Sequence, residues 1–341
     1  MPLTATKLGP DGPEVSRLCL GTMMFGDQTD EEASAVILDC YLAAGGNFID
    51  TADSYAGTRS ETILGKLLNE RDLPVYLATK CGNPLPGMNG SGGLSPAWIL
   101  QAAELSRERL KRDSIDLYYL HHDDNSTPLN EIVGAMGELL TRGAIRAWGV
   151  SNFRPWKIVE LVHLADRFGI TRPIAAQPYY HMLNRTAEAD YLPACRHFGI
   201  GVVPYSPLAR GVLTGKYRSG TPQGSRAARG DTRMLETEFH PATLELAARA
   251  AAYSDQKKVP PAHLALQWVL ANDAVKSVLI GPRTVGQLND YLNAVKAPYD
   301  ADNEAFLSAL CTPGTTPVPN YWDPRAPLQG RRARFETSFF R

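Results

Sequence analysis

Asn47-Phe48-Ile49-Asp50-Thr51-Ala52-Asp53-Ser54-Tyr55 is the stretch that decides the fold, because it joins a short apolar strand to a polar loop. The strand ends in a carboxylate, Asp50, and the loop brings a phenol, Tyr55. Two later apolar runs end in a cation and in an imidazole: Val75-Tyr76-Leu77-Ala78-Thr79-Lys80 and Ile115-Asp116-Leu117-Tyr118-Tyr119-Leu120-His121. Since the carboxyl ends of the strands of a parallel β/α barrel meet on one face, the pattern predicts that these four polar groups converge.

Outward from this stretch, short apolar runs alternate with segments of helical periodicity. The predicted barrel strands are 18–21, 47–50, 75–80, 115–121, 145–150, 174–177, 201–204 and 276–280. Residues 3–8 and 14–18, on either side of Gly9-Pro10-Asp11-Gly12, predict an N-terminal β-hairpin. Eight strand–helix alternations without a low-complexity linker predict a single α/β domain over residues 1–341, a (β/α)8 TIM barrel.

The helices are predicted from start and stop signals. Thr29 with Glu32 predicts a capping box, and Ser95-Pro96 and Thr127-Pro128 each predict an N-cap followed by proline at the first helical position. Two segments are not assigned by these signals. One is a long polar stretch at 215–240 that carries Arg218, Arg226, Arg229 and Arg233, and the other is the tail at 312–341.

Composition indicates the broad class of the protein. The chain has 341 residues, 44% hydrophobic and 21% charged, which is typical of a large globular core. A formal net charge of −1 argues against nucleic acid or an anionic membrane as a partner. The five cysteines are scattered without metal-ligand spacing, which predicts free thiols and no metal site. With no apolar signal region and no long apolar run, we expect a cytoplasmic protein.

The convergent groups are suited to acid–base chemistry. A phenol has an unperturbed pKa of about 10, so it is a weak acid near neutral pH. A nearby cation stabilises the phenolate and lowers that pKa, which lets a tyrosine act as a general acid. A buried lysine or aspartate alone would tend to neutralise, whereas a pair can stay charged.

These residues resemble the aldo-keto reductase superfamily, as a bacterial member related to its branch of potassium-channel β subunits. The family tetrad of Asp, Tyr, Lys and His matches Asp50, Tyr55, Lys80 and His121 in that order. The resemblance covers roughly residues 3 to 296. Its further motifs are Gly149-Val150-Ser151-Asn152-Phe153, Gln177-Pro178, Tyr205-Ser206-Pro207-Leu208-Ala209-Arg210-Gly211 and Ile280-Gly281-Pro282-Arg283. It implies a barrel whose N-terminal hairpin covers the bottom and whose C-terminal segments cover cofactor and substrate.

The resemblance implies NADPH as the cofactor and a small carbonyl compound as the substrate. NADPH would give hydride to the carbonyl carbon while Tyr55 gives a proton to its oxygen. Lys80 would lower the pKa of Tyr55, Asp50 would orient Lys80, and His121 would fix the carbonyl. His122 is the rival of His121, but successive strand residues face opposite ways, and the family pattern His-x-x-Asp favours His121 with Asp124. Asp53 is interpreted as the cap of a turn before Tyr55.

The resemblance also implies how the cofactor is held. Ser151, Asn152 and Gln177 would bond the nicotinamide carboxamide, although Ser151 and Asn152 could equally cap the helix at Pro155. Tyr205 would stack on the nicotinamide ring. Gly281 lies at a usual phosphate site of such barrels, and Arg283 would bind the 2′-phosphate. The remaining implied contacts are Ser206, Leu208, Arg210 and Gly211 around the pyrophosphate and Gln287 at the adenosine.

Some features depart from this pattern or leave alternatives open. The family usually has Asn four residues after Gln287, where this chain has Tyr291, and no Gly-x-Gly-x-x-Gly follows the first strand, which argues against a Rossmann fold. A sugar or sugar-derived aldehyde is our substrate hypothesis, because the loops after the strands are polar. Its predicted pocket combines an apolar wall with hydroxyl-bonding groups: Met23, Met24, Phe25, His122, Asp123, Asp124, Asn125 and Arg154. The alternative function is a redox-sensing regulatory subunit with little turnover, and a homo-oligomer stays open.

Overall fold

The computed structural model describes residues 3–71 and 74–318. Eight parallel strands form one sheet, in which each strand pairs with the next along the chain. The strands are β3 (Leu18–Gly21), β4 (Phe48–Asp50), β5 (Tyr76–Cys81), β6 (Leu117–Leu120), β7 (Trp148–Ser151), β8 (Ala175–Gln177), β9 (Gly201–Val202) and β10 (Val278–Ile280). β10 pairs with β3, and the amide of Leu279 donates to Pro204 O at 3.0 Å, which closes the ring between β9 and β10. The predicted (β/α)8 barrel is confirmed.

Helices surround the barrel. They are α1 (Glu31–Ala43), α2 (Arg59–Arg71), α3 (Pro96–Leu110), α4 (Leu129–Thr141), α5 (Pro155–Phe168), α6 (Tyr191–His197), α7 (Thr232–Thr237), α8 (Pro241–Lys257), α9 (Pro261–Ala271), α10 (Val285–Ala294) and α11 (Ala301–Ser308). α7 lies inside the long polar stretch, and α11 follows the helix after the last barrel strand. None of the helices in the described part of the chain is both long and apolar enough to span a membrane.

Two of the predicted helix starts are wrong in detail. Asp30, and not Thr29, caps α1, because its carboxylate accepts from the amide of Ala33 at 2.8 Å. The hydroxyl of Thr127 donates to Asp124 at 2.6 Å instead of capping α4, and Pro128 is the cap position. Ser95 caps α3 as predicted.

The barrel interior is filled by one apolar cluster that the N-terminal hairpin closes from below. The hairpin strands are β1 (Ala5–Lys7) and β2 (Glu14–Ser16), which pair antiparallel as predicted. The cluster consists of Leu8, Val15, Cys19, Phe48, Ala78, Leu117, Tyr119, Ala147, Ala175 and Val203. Since alternate strand residues share a face, the positions that follow Phe48, Ala78 and Tyr119 on the interior side are polar. They are Asp50, Lys80 and His121.

Gly149 shows how tightly this interior is packed. A Cβ added there would lie 2.5 Å from Ala175 O and 2.7 Å from the Tyr119 ring. Gly149→Ala is therefore expected to lower the free energy of unfolding by ~1–3 kcal/mol, the usual cost of overpacking. Urea denaturation measures this change. Gly134→Ala, where a Cβ would meet nothing within 4 Å, is the control that should not lose stability.

The last described residues after α11 pack beside the loop that follows β8. The amide of Gly314 donates to Arg185 O at 3.1 Å, and the Arg185 guanidinium donates to Cys311 O at 2.8 Å. All five cysteines are free thiols, as predicted. Of the unassigned tail at 312–341, residues 319–341 lie outside the described part of the chain.

Candidate active site

Asp50, Tyr55 and Lys80 meet at the carboxyl end of the barrel. Lys80 and Asp50 are fully buried and form an ion pair. The Lys80 ammonium also donates to Thr51 O at 2.7 Å and to the Tyr55 hydroxyl at 3.3 Å. Its three protons thus have three acceptors, which is the full capacity of an ammonium group. The phenol is therefore held beside a cation whose position is fixed by other contacts.

The charges of this group follow from burial and from pairing. Burial alone would lower the pKa of Lys80, but Asp50 and Tyr55 raise it above its usual value, so the ammonium is retained. Burial raises the pKa of Asp50, and Lys80 and Gln177 oppose that rise. Burial also raises the pKa of Tyr55, and Lys80 offsets only part of that rise. Lys80 thus lowers the pKa of Tyr55 as expected, but desolvation outweighs the cation and leaves that pKa above its usual value.

His121 completes the group. Its ring lies edge-on to the Tyr55 ring, with centroids 5.8 Å apart and planes at 79°. The ring of His122 is 6.5 Å from that of His121, and its Nδ1 contacts Asp123 O at 3.1 Å. The alternation of β6 explains the difference, because His121 continues the interior face of Leu117 and Tyr119. The structure therefore places His121, and not His122, beside the phenol.

Asp53 lies behind this group in a second buried polar cluster. Its side chain is fully buried, and the hydroxyl and amide of Ser54 lie close enough to lower its pKa without reaching full hydrogen-bond geometry, so the expected cap of the turn before Tyr55 is not a full hydrogen bond. Glu61 is buried nearby, where it accepts from Thr79 at 2.5 Å and from Arg109 at 2.7 Å. Burial and the Glu61 charge raise the pKa of Asp53 to about 8. Asp53 is therefore a carboxylic acid that keeps its proton near neutral pH.

This shift predicts how stability depends on pH. The unfolded pKa of an aspartate is about 3.9, so between ~4 and 8 the folded chain holds a proton that the unfolded chain releases. Stability from Asp53 is thus lost as pH rises through that window, by up to ~1.4 kcal/mol per pH unit. Asp53→Asn mimics the protonated acid, so its stability relative to wild type should increase from pH 5 to pH 8 in urea denaturation. A constant difference between the two proteins would contradict the assignment.

The matched control for this experiment is Asp39→Asn. Asp39 is mostly exposed, and its pKa is lowered by the hydrogen bond from Arg71. Its contribution to stability is therefore complete above the unfolded pKa and is lost only below it. The stability difference of this variant should not change between pH 5 and pH 8.

Ser151, Asn152 and Gln177 lie at the ends of β7 and β8, next to the tetrad. Ser151 Oγ donates to Gln177 O at 2.9 Å, and the Gln177 side-chain amide donates to Asp50 at 2.9 Å. The Asn152 amide donates to His121 O at 3.0 Å and accepts from the Tyr205 hydroxyl at 2.8 Å. These side chains do not cap α5, so the capping alternative is wrong. The contact of Gln177 with Asp50 had no signal in the sequence.

The loop after β9 carries the residues expected around the pyrophosphate. The ring centroids of Tyr205 and Tyr179 are 5.3 Å apart. The guanidinium carbon of Arg210 lies 5.7 Å from the centroid of the Tyr179 ring. Ser206 and Arg210 adopt left-handed backbone conformations, with φ of 58° and 52°. Such conformations are costly for residues other than glycine and occur often at ligand sites. Leu208 and Gly211 belong to the same tight loop, where the Gly211 amide donates to Leu208 O at 2.8 Å.

Arg283 and Gln287 are joined at the start of α10. The Arg283 amide donates to the Gln287 side chain at 2.8 Å, and its guanidinium donates to Gln28 at 2.9 Å. A Cβ added at Gly281 would meet nothing within 4 Å, so the space beside this loop is open. Tyr291, at the position where the family usually has Asn, is close enough to Arg226 for that charge to lower its pKa, although burial raises it to about 12 overall.

A cationic cluster forms where the long polar stretch meets this loop. It consists of Arg210, Lys216, Arg226, Arg229 and Arg283. Burial lowers the pKa of Lys216, and Arg283, Arg226 and Arg229 lower it further. Burial also lowers the pKa of Arg226. The charge of Asp231, whose carboxylate is 3.8 Å from the Arg226 guanidinium, raises this pKa, whereas the charges of Arg210 and Arg283 lower it further. Mutually repelling cations held together in this way favour an anion between them.

The carboxylates of the loop after β6 are engaged by groups of the same loop and of neighbouring segments. Asp123 forms a buried ion pair with Lys157 and accepts from the Asn125 amide at 3.0 Å. Asp124 accepts from the amides of Leu94, Ser126 and Thr127, at 2.8, 3.0 and 2.9 Å. Both carboxylates are thus engaged by protein groups, and contact of either with a substrate hydroxyl stays a prediction. Phe25 is fully buried and Met24 nearly so, which leaves Met23 as the exposed member of the expected apolar wall.

Metal chemistry has no donor set among the residues that the structure describes. Over 3–71 and 74–318, no three His, Cys, Asp or Glu side chains are grouped so that they could hold a metal ion. The polar groups at the barrel mouth are instead the ion pair of Lys80 and Asp50, the phenol of Tyr55 and the imidazole of His121.

Comparison with known proteins identifies the family to which this chain belongs. The model of the aldo/keto reductase family matches residues 17–310. An uncharacterized oxidoreductase of Bacillus subtilis (strain 168), YrpG, is 38% identical over 330 residues, which are 93% of this chain and 99% of the relative. A probable voltage-gated potassium channel subunit beta of Arabidopsis thaliana is 36% identical over 84% of this chain and 90% of the relative. The putative subunit of the same kind from Schizosaccharomyces pombe (strain 972 / ATCC 24843) is 32% identical over 85% of this chain and 87% of the relative. Since the family model spans most of a closed (β/α)8 barrel, the chain belongs to the aldo/keto reductase family of oxidoreductases.

Proposed function

We propose that this protein is an NADPH-dependent reductase that converts an aldehyde or ketone to an alcohol. The observation that carries the proposal is the contact of Lys80 with both Asp50 and the Tyr55 hydroxyl, with His121 beside the phenol. Bound NADPH supplies the hydride. The chain supplies the proton, the orientation of the substrate and a site that binds the cofactor.

Tyr55 is the proton donor in this proposal. Burial keeps its pKa high, so the phenol carries its proton at neutral pH. As negative charge develops on the substrate oxygen, the phenol proton moves to that oxygen and leaves a phenolate 3.3 Å from the Lys80 ammonium. Lys80 stabilises this phenolate, and Asp50 with Thr51 O keeps the ammonium in place.

The residues at the barrel mouth fit an NADPH molecule. The cationic cluster suits the phosphates, because one guanidinium group can donate two parallel hydrogen bonds to two phosphate oxygens. Gln177, Ser151 and Asn152 offer amide and hydroxyl groups beside the tetrad for the nicotinamide carboxamide. Tyr205, whose hydroxyl donates to Asn152, offers an aromatic ring for the nicotinamide. Arg283 is the proposed contact of the 2′-phosphate, and Gln287 that of the adenosine.

For the substrate we propose a small polar carbonyl compound such as a sugar or a sugar-derived aldehyde. Among the polar residues expected at this pocket, His122 and Arg154 are both partly buried, and we propose them as contacts of the substrate hydroxyls. A site that bonds substrate hydroxyls rejects analogues that lack them by ~10⁴–10⁵. We propose cytoplasmic action by one domain, without nucleic acid or membrane as a partner.

The test is multiple turnover with a panel of carbonyl substrates. NADPH oxidation is followed at saturating cofactor with hydroxylated aldehydes and with apolar aldehydes and ketones of similar size. Many cycles per protein support an enzyme, whereas tight NADPH binding without turnover would favour the regulatory subunit that the names of the plant and yeast relatives suggest. If hexanal or an aromatic ketone has the largest kcat/KM, the polar substrate class is wrong.

A further inference from the structure

Asn83 contacts the imidazole of His121, although nothing in the sequence marked it as a site residue. It lies two residues beyond the end of β5 and is partly buried. Its side-chain amide nitrogen is 3.0 Å from His121 Nδ1 and 3.3 Å from Ser54 Oγ. The main chain of His121 is held separately, because its amide donates to Cys81 O at 2.8 Å and its carbonyl accepts from Asn152 at 3.0 Å. Asn83 therefore acts on the ring and not on the backbone.

The chemistry of the two partners fixes where the imidazole proton lies. With the NH2 end of the Asn83 amide facing the ring, Nδ1 of His121 is the acceptor of this hydrogen bond, because an amide NH2 group can only donate. A neutral imidazole has a single N–H, which the contact therefore places on Nε2. A carbonyl oxygen offers only lone pairs, so it requires a donor from the ring. The Nε2–H tautomer meets that requirement without a positive charge.

We propose that Asn83 is a positioning residue that holds His121 as the neutral Nε2–H tautomer, the form that donates a hydrogen bond to the substrate carbonyl. The inference rests on the proposed function for the identity of the acceptor, but the tautomer itself belongs to the protein alone. Tyr55 at 5.8 Å and His122 at 6.5 Å also face this ring. Asn83 is the one of these three that bonds to Nδ1.

The first measurement is the tautomer of His121 in the intact protein. The chain has seven histidines, so the signals are assigned in ¹⁵N-histidine-labelled protein by comparison with a His121→Gln sample. Long-range ¹H–¹⁵N spectra above the imidazole titration range should show His121 protonated at Nε2. A wild-type spectrum with the proton on Nδ1 would overturn the proposal, and this reading requires neither activity nor a change at Asn83.

The second measurement uses Asn83→Asp, which keeps the shape and reverses the hydrogen bond. A carboxylate accepts from Nδ1–H and stabilises the imidazolium, so the pKa of His121 in this variant should rise above its wild-type value. Below that pKa the ring carries both protons and can still donate from Nε2. Above it, the proton stays on Nδ1 and the donor to the carbonyl is lost. The kcat of Asn83→Asp should therefore fall as pH rises, to about 10²-fold below wild type, the usual effect of losing one such donor.

Asn89→Asp is the matched control, because Asn89 is exposed in the same loop and the change adds the same charge. It should keep the wild-type tautomer and the wild-type pH profile. The dissociation constant of NADPH should be unchanged in both variants. If Asn83→Asp keeps the Nε2–H tautomer, or its kcat follows the wild-type pH profile, the positioning role is wrong. If wild type reduces no carbonyl while His121 is protonated at Nε2, the proposed function fails and the tautomer assignment stands.

Discussion

Tyr55→Phe is expected to fold and to bind NADPH as wild type does, while its kcat for carbonyl reduction falls by ~10²–10⁴-fold. The substitution removes one oxygen, the group that Lys80 contacts at 3.3 Å. The ring stays, so its edge-on contact with His121 is retained. Steady-state kinetics give kcat, and quenching of protein fluorescence gives the dissociation constant of NADPH. The loss should appear in kcat, because the proton is transferred only in the transition state.

The control for this loss is Tyr253→Phe. Its hydroxyl donates to Asn303 at 3.1 Å on the outer helices, so the same atom is removed far from the proposed chemistry. This variant should turn over like wild type. If Tyr55→Phe keeps near-wild-type turnover, another group supplies the proton and the proposed acid is wrong.

The sequence predicts the positions of the strands and of the side chains at their ends for a simple reason. Each barrel strand is buried on both faces, so it reads as an apolar run, and a charged residue such as Asp50 or Lys80 stands out where the run ends. Because successive side chains of a strand point to opposite faces, the spacing from that residue then assigns each side chain to the interior or the exterior of the barrel. His121 follows Leu117 and Tyr119 on the interior face, which separates it from His122 without any knowledge of the fold's closure.

Hydrogen-bond partners of short polar side chains are much harder to predict. Ser, Thr, Asp and Asn can all cap a helix, and the tertiary contact decides between neighbours. Asp30 replaces Thr29 as the cap of α1 in this way. Asn152 bonds to Tyr205 across 53 positions of sequence instead of capping the helix that begins three residues later. Asp124 likewise accepts from the amides of Leu94, Ser126 and Thr127, and its polarity in the sequence did not predict these partners.

Long-range pairs leave no local signal at all. Gln177 reaches Asp50 across 127 positions, and Asn83 reaches His121 across 38. The buried cluster of Asp53 and Glu61 is similar, because the raised pKa of Asp53 arises from burial that only the closed barrel creates. The side chains that tune the tetrad are thus the part of the site that required the structure.

The long stretch at 215–240 was recognisable as unusual, but its purpose depends on where it folds. It brings Lys216, Arg226 and Arg229 to Arg283, which lies more than fifty residues later in the chain. The cations repel one another, so the arrangement costs stability until an anion joins it. We therefore expect phosphate groups to be bound by the whole cluster, with Arg283 responsible for the preference between the two nicotinamide cofactors.

Arg283→Ala is expected to weaken NADPH binding by ~10–150-fold and to leave NADH binding nearly unchanged. A charge-assisted hydrogen bond to phosphate contributes ~1.5–3 kcal/mol, and each 1.4 kcal/mol is about tenfold in affinity. The Arg283 amide is fixed by Gln287, and its guanidinium is partly exposed beside Gln28, so it can turn to a 2′-phosphate without disturbing the core. Fluorescence titration of both cofactors, at low and at high salt, gives the four dissociation constants for each protein.

Two further variants decide what this ratio means. Arg172→Ala removes an exposed guanidinium that pairs with Asp166, away from the cluster, and should leave both cofactors unaffected. Arg226→Ala tests the long loop. If Arg283→Ala does not change the ratio of NADPH to NADH affinity while Arg226→Ala does, the 2′-phosphate is held by the loop. If both variants weaken NADPH and NADH equally, the cluster binds only the pyrophosphate, and the preference for NADPH is wrong.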